Sequence, residues 1–251
     1  MNGGYLQIRL LGGFEVVRPD GTLVDNHDWR TGKTMDLLRL LALDNDRPVP
    51  IPALLGRLWP DAPESRARAS LRTAASQIRH ATGENCIARR QPGTLVLVRA
   101  QVDLDEFRAA VAQVRQAVHD GDHQSVLDLA FSVEYVYVGD FHAYDDDSTW
   151  ATQERELLRQ KRLEVLTAAA ESGLAVGRWR DTIDFANEAI RLDPTAEHPH
   201  RSLMRAHAEL GEIGSALRVF ETYRHRLAEE LGVDPSPQAR ELHMKLLRGT
   251  G

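Results

Sequence analysis

The stretch from Glu64 to Gly83 limits the fold more than any other in these 251 residues. Asp61 with Glu64 three residues later makes a capping-box start, and Gly83 supplies a C-terminal stop, so the stretch is predicted to be one helix. Leu71, Ala74, Ala75, Ile78 and Thr82 fall on one narrow stripe of that helix, which must therefore pack on a core built by other segments. Arg66, Thr73, Ser76, Gln77 and His80 point away from the stripe, and Arg68, Arg72 and Arg79 line one flank. Surface helices ordinarily interleave both signs, yet residues 65–82 hold four arginines and no Asp or Glu. Such an arrangement repels itself unless an anion is expected. Flanking cations with small hydrogen-bonding side chains between them suit a helix lying in a DNA major groove.

The charge distribution points the same way. The chain carries a net −6, which as a whole argues against nucleic acid. Residues 1–100, however, hold 14 Lys and Arg against 10 Asp and Glu, net +4, while residues 101–251 hold 17 against 27, net −10. Within 62–100 there are seven Arg against two Glu, so the positive field is confined to about forty residues. Opposite charge in the two parts implies two tasks, and the expected division is 1–100 and 101–251. Cys86, the single cysteine, excludes an internal disulfide. No apolar leader segment and no run of about 18 apolar residues is present, so a cytoplasmic location and no membrane association are expected.

Before the basic helix, Leu6, Ile8 and Leu10, then Phe14 and Val16, alternate as strands do, with a turn at Pro19-Asp-Gly21 and extended structure again at Thr22 to Val24. A small antiparallel sheet is predicted. Thr31-Gly-Lys-Thr34 has the tail of a phosphate-binding loop, but the motif's first glycine would fall on His27, so Thr31 or Thr34 reads as the cap of a helix through Leu43. A short amphipathic helix follows from Pro52 to Trp59. After the basic helix, Ile87 to Arg90 and Leu95 to Val98 flank a Gln91-Pro-Gly-Thr94 turn, giving a hairpin with Arg89 and Arg90 near its tip. Sheet, three helices and hairpin is the order of a winged helix, in which the third helix enters the major groove and the hairpin reaches the adjacent backbone or minor groove.

Beyond Val102-Asp103-Leu104 the pattern is helical, broken at Gly121, Gly139, Gly177, Asp193-Pro194, Gly211 and Asp234-Pro235. Gly177 and Gly211 stand 34 residues apart, each followed by apolar residues at matching offsets (Trp179 and Ile183; Ile213 and Leu217). That spacing matches tetratricopeptide-type helix pairs, which stack into a gripping surface, although a plain helical bundle satisfies the same pattern.

Enzyme chemistry finds little support. His198, His200 and His207 lack the i, i+4 spacing and extra ligand of a metal site, Asp145-Asp-Asp147 lacks the Gly and Glu of a calcium loop and reads as a solvated loop, and no glycine elbow marks a nucleophile. No catalytic residue, metal or cofactor is expected.

Several stretches carry a family likeness: Leu10-Leu-Gly-Gly-Phe-Glu-Val16, Leu54-Leu-Gly-Arg-Leu-Trp-Pro-Asp61, Ala67-Arg-Ala-Ser-Leu71 with Ser76-Gln-Ile-Arg79, Val102-Asp-Leu-Asp-Glu-Phe107, and above all Leu227-Ala-Glu-Glu-Leu-Gly-Val-Asp-Pro-Ser-Pro237. Through them the chain resembles the Streptomyces antibiotic regulatory protein family, an OmpR-type winged helix followed by a bacterial transcriptional activator domain. Ala74 and Gln77 depart from the bulky and basic residues usual at those places, as does the Tyr135-Val-Tyr-Val-Gly-Asp140 segment. The resemblance implies a transcriptional activator that binds promoter direct repeats in double-stranded DNA and recruits RNA polymerase, and it leaves open dimerisation on DNA. The expected contacts are Arg66, Arg68, Arg72, Arg79, Arg89 and Arg90 to phosphates, and Arg72, Thr73, Ser76, Gln77 and His80 to base edges. A tetratricopeptide-like adaptor or small-molecule sensor, its basic half non-specific, is the alternative.

Overall fold

The structure, a computed structural model, describes residues 4–249. It is mainly helical and divides into two compact units. The first takes in residues up to Arg108 together with Val136–Leu158, and the second takes in Ala109–Tyr135 with the residues from Arg159 onward.

In the first unit, β1 (Leu6–Arg9) alternates buried and exposed residues and pairs antiparallel with β2 (Glu15–Val17), Ile8 opposite Val16. Helices α1 (Gly32–Leu43), α2 (Ile51–Leu58) and α3 (Glu64–Thr82) follow, with β3 (Val49–Pro50) between the first two. Strands β4 (Ile87–Ala88) and β5 (Thr94–Leu97) form the predicted hairpin, and β3 joins it to give the order β3-β5-β4. The chain then contributes β6 (Ala100–Val102), which pairs parallel with β1. The opening sheet is thus β2-β1-β6 rather than antiparallel alone, because a strand from beyond the hairpin completes it. A winged helix results, its core filled by Leu37, Leu38, Leu40 and Leu41 of α1, Leu54 and Leu58 of α2 and Ile78 of α3. Each such side chain, fully buried, stabilises by about 1.5–3 kcal/mol.

Two carboxylates, one buried and one half-buried, brace this unit. Asp36 is fully buried; it accepts from the Arg39 guanidinium at 3.0 Å and from the backbone N–H of Tyr144 at 2.8 Å. Arg39 in turn lies over the Phe14 ring, 4.0 Å from its centre. Asp103, at the start of α4 (Asp103–Asp120), accepts from the backbone N–H of Leu10 at 2.9 Å and of Leu11 at 3.0 Å. Residues 136–158 belong to the same unit: Leu11 bridges Phe141, and the Gly12 N–H donates to the Asp140 carbonyl at 3.1 Å. Gly12 has φ +83°, and a Cβ on Gly139 would lie 2.9 Å from the Gly12 Cα, so two glycines meet where no side chain fits. Asp145-Asp-Asp147 is the solvated loop expected, just before the helix Thr149–Ala175, with Asp145 and Asp147 exposed. Asp145 pairs with Lys33 at 3.3 Å, and Asp146 accepts from Arg155 and from the Ala143 N–H.

The second unit holds the rest of α4, then α5 (His123–Val136), α6 (Thr149–Ala175), α7 (Trp179–Leu192), α8 (Glu197–Glu209), α9 (Ile213–Glu230) and α10 (Pro237–Leu247), some crossing the division between units. Gly177 and Gly211, 34 residues apart, close the α6–α7 and α8–α9 turns in the left-handed region, at φ +76° and +77°. Asp193 ends α7, and its carboxylate accepts from the Thr195 N–H at 2.8 Å. The resulting helical hairpins are tetratricopeptide-like. Met204, Phe220, Tyr223, Leu227, Ala239 and Leu246 form the core that joins α8, α9 and α10. The Leu227–Pro237 stretch earns its distinctiveness here: Ser236 caps α10 by accepting from the Ala239 N–H, and donates to Glu197 on α8. Of the four tryptophans, Trp29 and Trp150 are buried while Trp59 and Trp179 are half-buried. Among the described residues no helix is long and apolar enough to cross a membrane.

Candidate nucleic-acid interface

Helix α3 runs over the predicted residues but starts differently. Its N-cap is Pro63 and no side chain caps it, because a proline at 63 disfavours the helical conformation at 62 that a start from Asp61 requires. Glu64 turns forward and pairs with Arg68, one helical turn on, at 2.7 Å. At the other end Gly83 adopts φ +67°, as predicted. The predicted stripe is buried throughout, extended by Ala67 and Ala81, and the alanines let α3 lie close against α1 and α2.

The opposite face is open to solvent. Arg66, Arg72, Thr73, Ser76 and His80 are exposed, whereas Arg68, Gln77 and Arg79 are half-buried. Among the described residues no hydrogen-bond or ion-pair partner is recorded for the side chains of Arg66, Arg72, Ser76 and His80. Thr73 returns its hydroxyl to the Ala69 carbonyl at 3.1 Å. Gln77 is tethered: its side-chain oxygen accepts from the Thr34 hydroxyl at 2.7 Å, and Thr34 meets Thr31, the N-cap of α1, at 2.9 Å. This leaves the Gln77 amide NH2 as its outward group. Arg79 donates to Asn85 at 3.0 Å and to the Ile87 carbonyl at 2.8 Å, fastening the C-terminal end of α3 to β4.

The hairpin divides its two arginines. Arg90 pairs with Asp46 at 2.7 Å, while Arg89 is exposed and no partner is recorded for it among the described residues. The partners of Arg68, Arg79 and Arg90 all come from residues 46–87, so the strongly acidic later part of the sequence neutralises none of the three.

One cation escaped the sequence reading. An open cleft of about 490 Å³ is bounded by Asp28 and Arg30 on one side and by Arg72, Thr73, Ser76, Gln77 and His80 of α3 on the other. Asp28 is engaged by Arg18 at 2.7 Å, which leaves Arg30 exposed beside the polar face of α3. It lies outside the basic stretch, next to acidic residues, so charge counting gave it no weight.

The other candidates resolve into structural roles. His198 pairs with Glu171, His207 with Glu212, and His200 is buried against Tyr223 with a ring nitrogen on the Ala196 carbonyl. No group of three His, Cys, Asp or Glu suited to a metal occurs among the described residues. Cys86 is buried, and burial pushes its thiol above the ordinary value. The Thr31-Gly-Lys-Thr34 segment caps α1, and a Cβ on Gly32 would run into the exposed Tyr144 ring, which would have to move aside, so the glycine has a packing role and needs no phosphate to explain it.

Comparison with known proteins shows which regulators the chain is similar to. The regulatory protein AfsR of Streptomyces griseus is 29% identical over 84% of this chain, which spans 22% of its length. The regulatory protein DnrI of Streptomyces peucetius is 28% identical over 91% of this chain and 90% of its own. The structure of Mycobacterium tuberculosis EmbR in complex with a low affinity phosphopeptide aligns with a TM-score of 0.80 at 26% identity, covering 98% of this chain and 66% of that one. The bacterial transcriptional activator domain matches residues 102–247, more than half of the sequence, and the chain belongs to that family.

Proposed function

We propose that this chain is a sequence-specific DNA-binding transcriptional activator of the cytoplasm that reads the major groove with α3. Arg66 and Arg72 hold phosphates, Thr73, Ser76, His80 and the Gln77 amide face base edges, and Arg89 on the hairpin reaches the adjacent backbone. Arg68, Arg79 and Arg90, already bonded within the unit, serve chiefly to set the helix and the hairpin in position. The observation that carries the reading is the solvent face of α3, where Arg66 and Arg72, without a recorded partner among the described residues, flank small polar side chains, and the acid across the cleft, Asp28, is engaged by Arg18. The names of the relatives, regulatory proteins both, support it. The later helices would present a surface to RNA polymerase or to a second copy on direct repeats.

An electrophoretic shift at moderate salt tests the reading. A promoter fragment carrying direct repeats is expected to survive an excess of unrelated competitor, since specific sites are bound some 10³-fold or more tighter than random DNA. Equal displacement by both DNAs would leave only a non-specific basic surface.

A further inference from the structure

Unit two is acidic in composition, yet one groove in it is cationic. Between the C-terminal turns of α6 and the outer face of α8 lies an open cleft of about 440 Å³, floored by Leu174 and Ala175 and edged by Arg201, Ser202 and Arg205. Arg201 and Arg205 stand four residues apart on α8, where like charges repel unless an anion lies between them.

Arg201 has one long ion pair, to Glu197, and Arg205, which is exposed, has no recorded partner among the described residues. The Arg201 Nε is shut off from water and has no acceptor, an arrangement that folded proteins rarely leave unanswered. The carboxylate paired with it, Glu197, stands 3.8 Å from Nη1 and already accepts from the Tyr223 hydroxyl and from both the N–H and the hydroxyl of Ser236. The acid in the cleft lining, Glu171, is engaged by His198, also of the lining, at 2.7 Å.

We infer that this groove binds an acidic peptide segment of a protein partner. With Nε shut off, a carboxylate in the cleft meets the quarter-exposed remainder of the Arg201 side chain, whose guanidinium stays charged and only loosely held inside the fold. Arg205 holds a second carboxylate one helical turn away, and an apolar side chain between the two rests on Leu174 and Ala175. The site is independent of α3 and of the DNA reading.

The test is fluorescence anisotropy of the full chain with a labelled ten-residue peptide of alternating Glu and Leu, against the same peptide with Gln in place of Glu. The Glu peptide is expected to bind at least tenfold tighter, to weaken at least tenfold with Arg205→Ala, and to keep its affinity with Arg218→Ala, a cation of the same unit outside the groove. Arg205 is exposed, so its removal leaves the fold intact, and unchanged circular dichroism checks this. Three results would overturn the inference: equal affinity for the two peptides, indifference to Arg205→Ala, or displacement of the Glu peptide by a DNA duplex in wild type but not in Arg205→Ala.

Discussion

Asp36→Ala is expected to lower the unfolding free energy by about 3–5 kcal/mol, the largest loss foreseen for a single substitution in this chain. The carboxylate is fully buried and holds three partners: the Arg39 guanidinium at 3.0 Å and the backbone N–H groups of Tyr144 at 2.8 Å and Asp145 at 3.4 Å. Its removal leaves the Arg39 charge buried with the Phe14 ring and the more weakly acting Asp146 for compensation, and loosens the 136–158 segment from α1. Arg39 already sits under strong desolvation, which pulls its pKa below the ordinary value against the upward pull of Asp36. Urea unfolding followed by circular dichroism measures the loss. A double replacement, Asp36→Leu with Arg39→Met, should recover much of it, since buried ion pairs exchanged for apolar groups of similar volume are often neutral or better. A loss below 1 kcal/mol for Asp36→Ala would mean the buried pair does not brace this unit.

Asp103→Ala should cost roughly 2–4 kcal/mol by a different route, because it orphans donors rather than a charge. The N–H groups of Leu10 and Leu11 lie just past the end of β1 and have the Asp103 carboxylate as acceptor, at 2.9 and 3.0 Å. Burial raises the Asp103 pKa, and its backbone hydrogen bonds only partly oppose that rise. Asp103→Asn keeps one acceptor oxygen and should lose about half as much. Equal stability of the Ala variant and the wild type in thermal unfolding would contradict the role assigned to this carboxylate.

Much of this architecture was legible in the residues because it is local. The stripe of α3, the Gly83 stop, the hairpin turn at Gln91 to Thr94 and the two turn glycines 34 residues apart each depend on neighbours within a few positions, and each stands where periodicity placed it. What escaped depends on partners far along the chain. Strand β6 is three residues long, too short to show alternation, and is a strand only because β1 is there to pair with it. The glycine at 12 has its reason in a glycine at 139, and Asp36 in a backbone N–H at 144.

The candidate interface divides along the same line. Which side of α3 faces water follows from the helical period, so Arg66, Arg72, Thr73, Ser76 and His80 could be named in advance. Which arginines remain unengaged could not: Arg79 finds Asn85 and the Ile87 carbonyl only through the turn after Gly83, and Arg90 finds Asp46 only because β5 sits between β3 and β4. Arg30 was passed over for the converse reason, since its acidic neighbour Asp28 is engaged by Arg18 and leaves it unopposed.

The account stands on α3 as the element that meets the polyanion, and the salt dependence of DNA binding measures that directly. Each phosphate contact contributes about 0.9 to the slope of log affinity against log salt, so Arg66→Ala with Arg72→Ala should flatten the slope by about two while circular dichroism stays unchanged. A slope equal to that of the wild type would place the DNA elsewhere on the molecule.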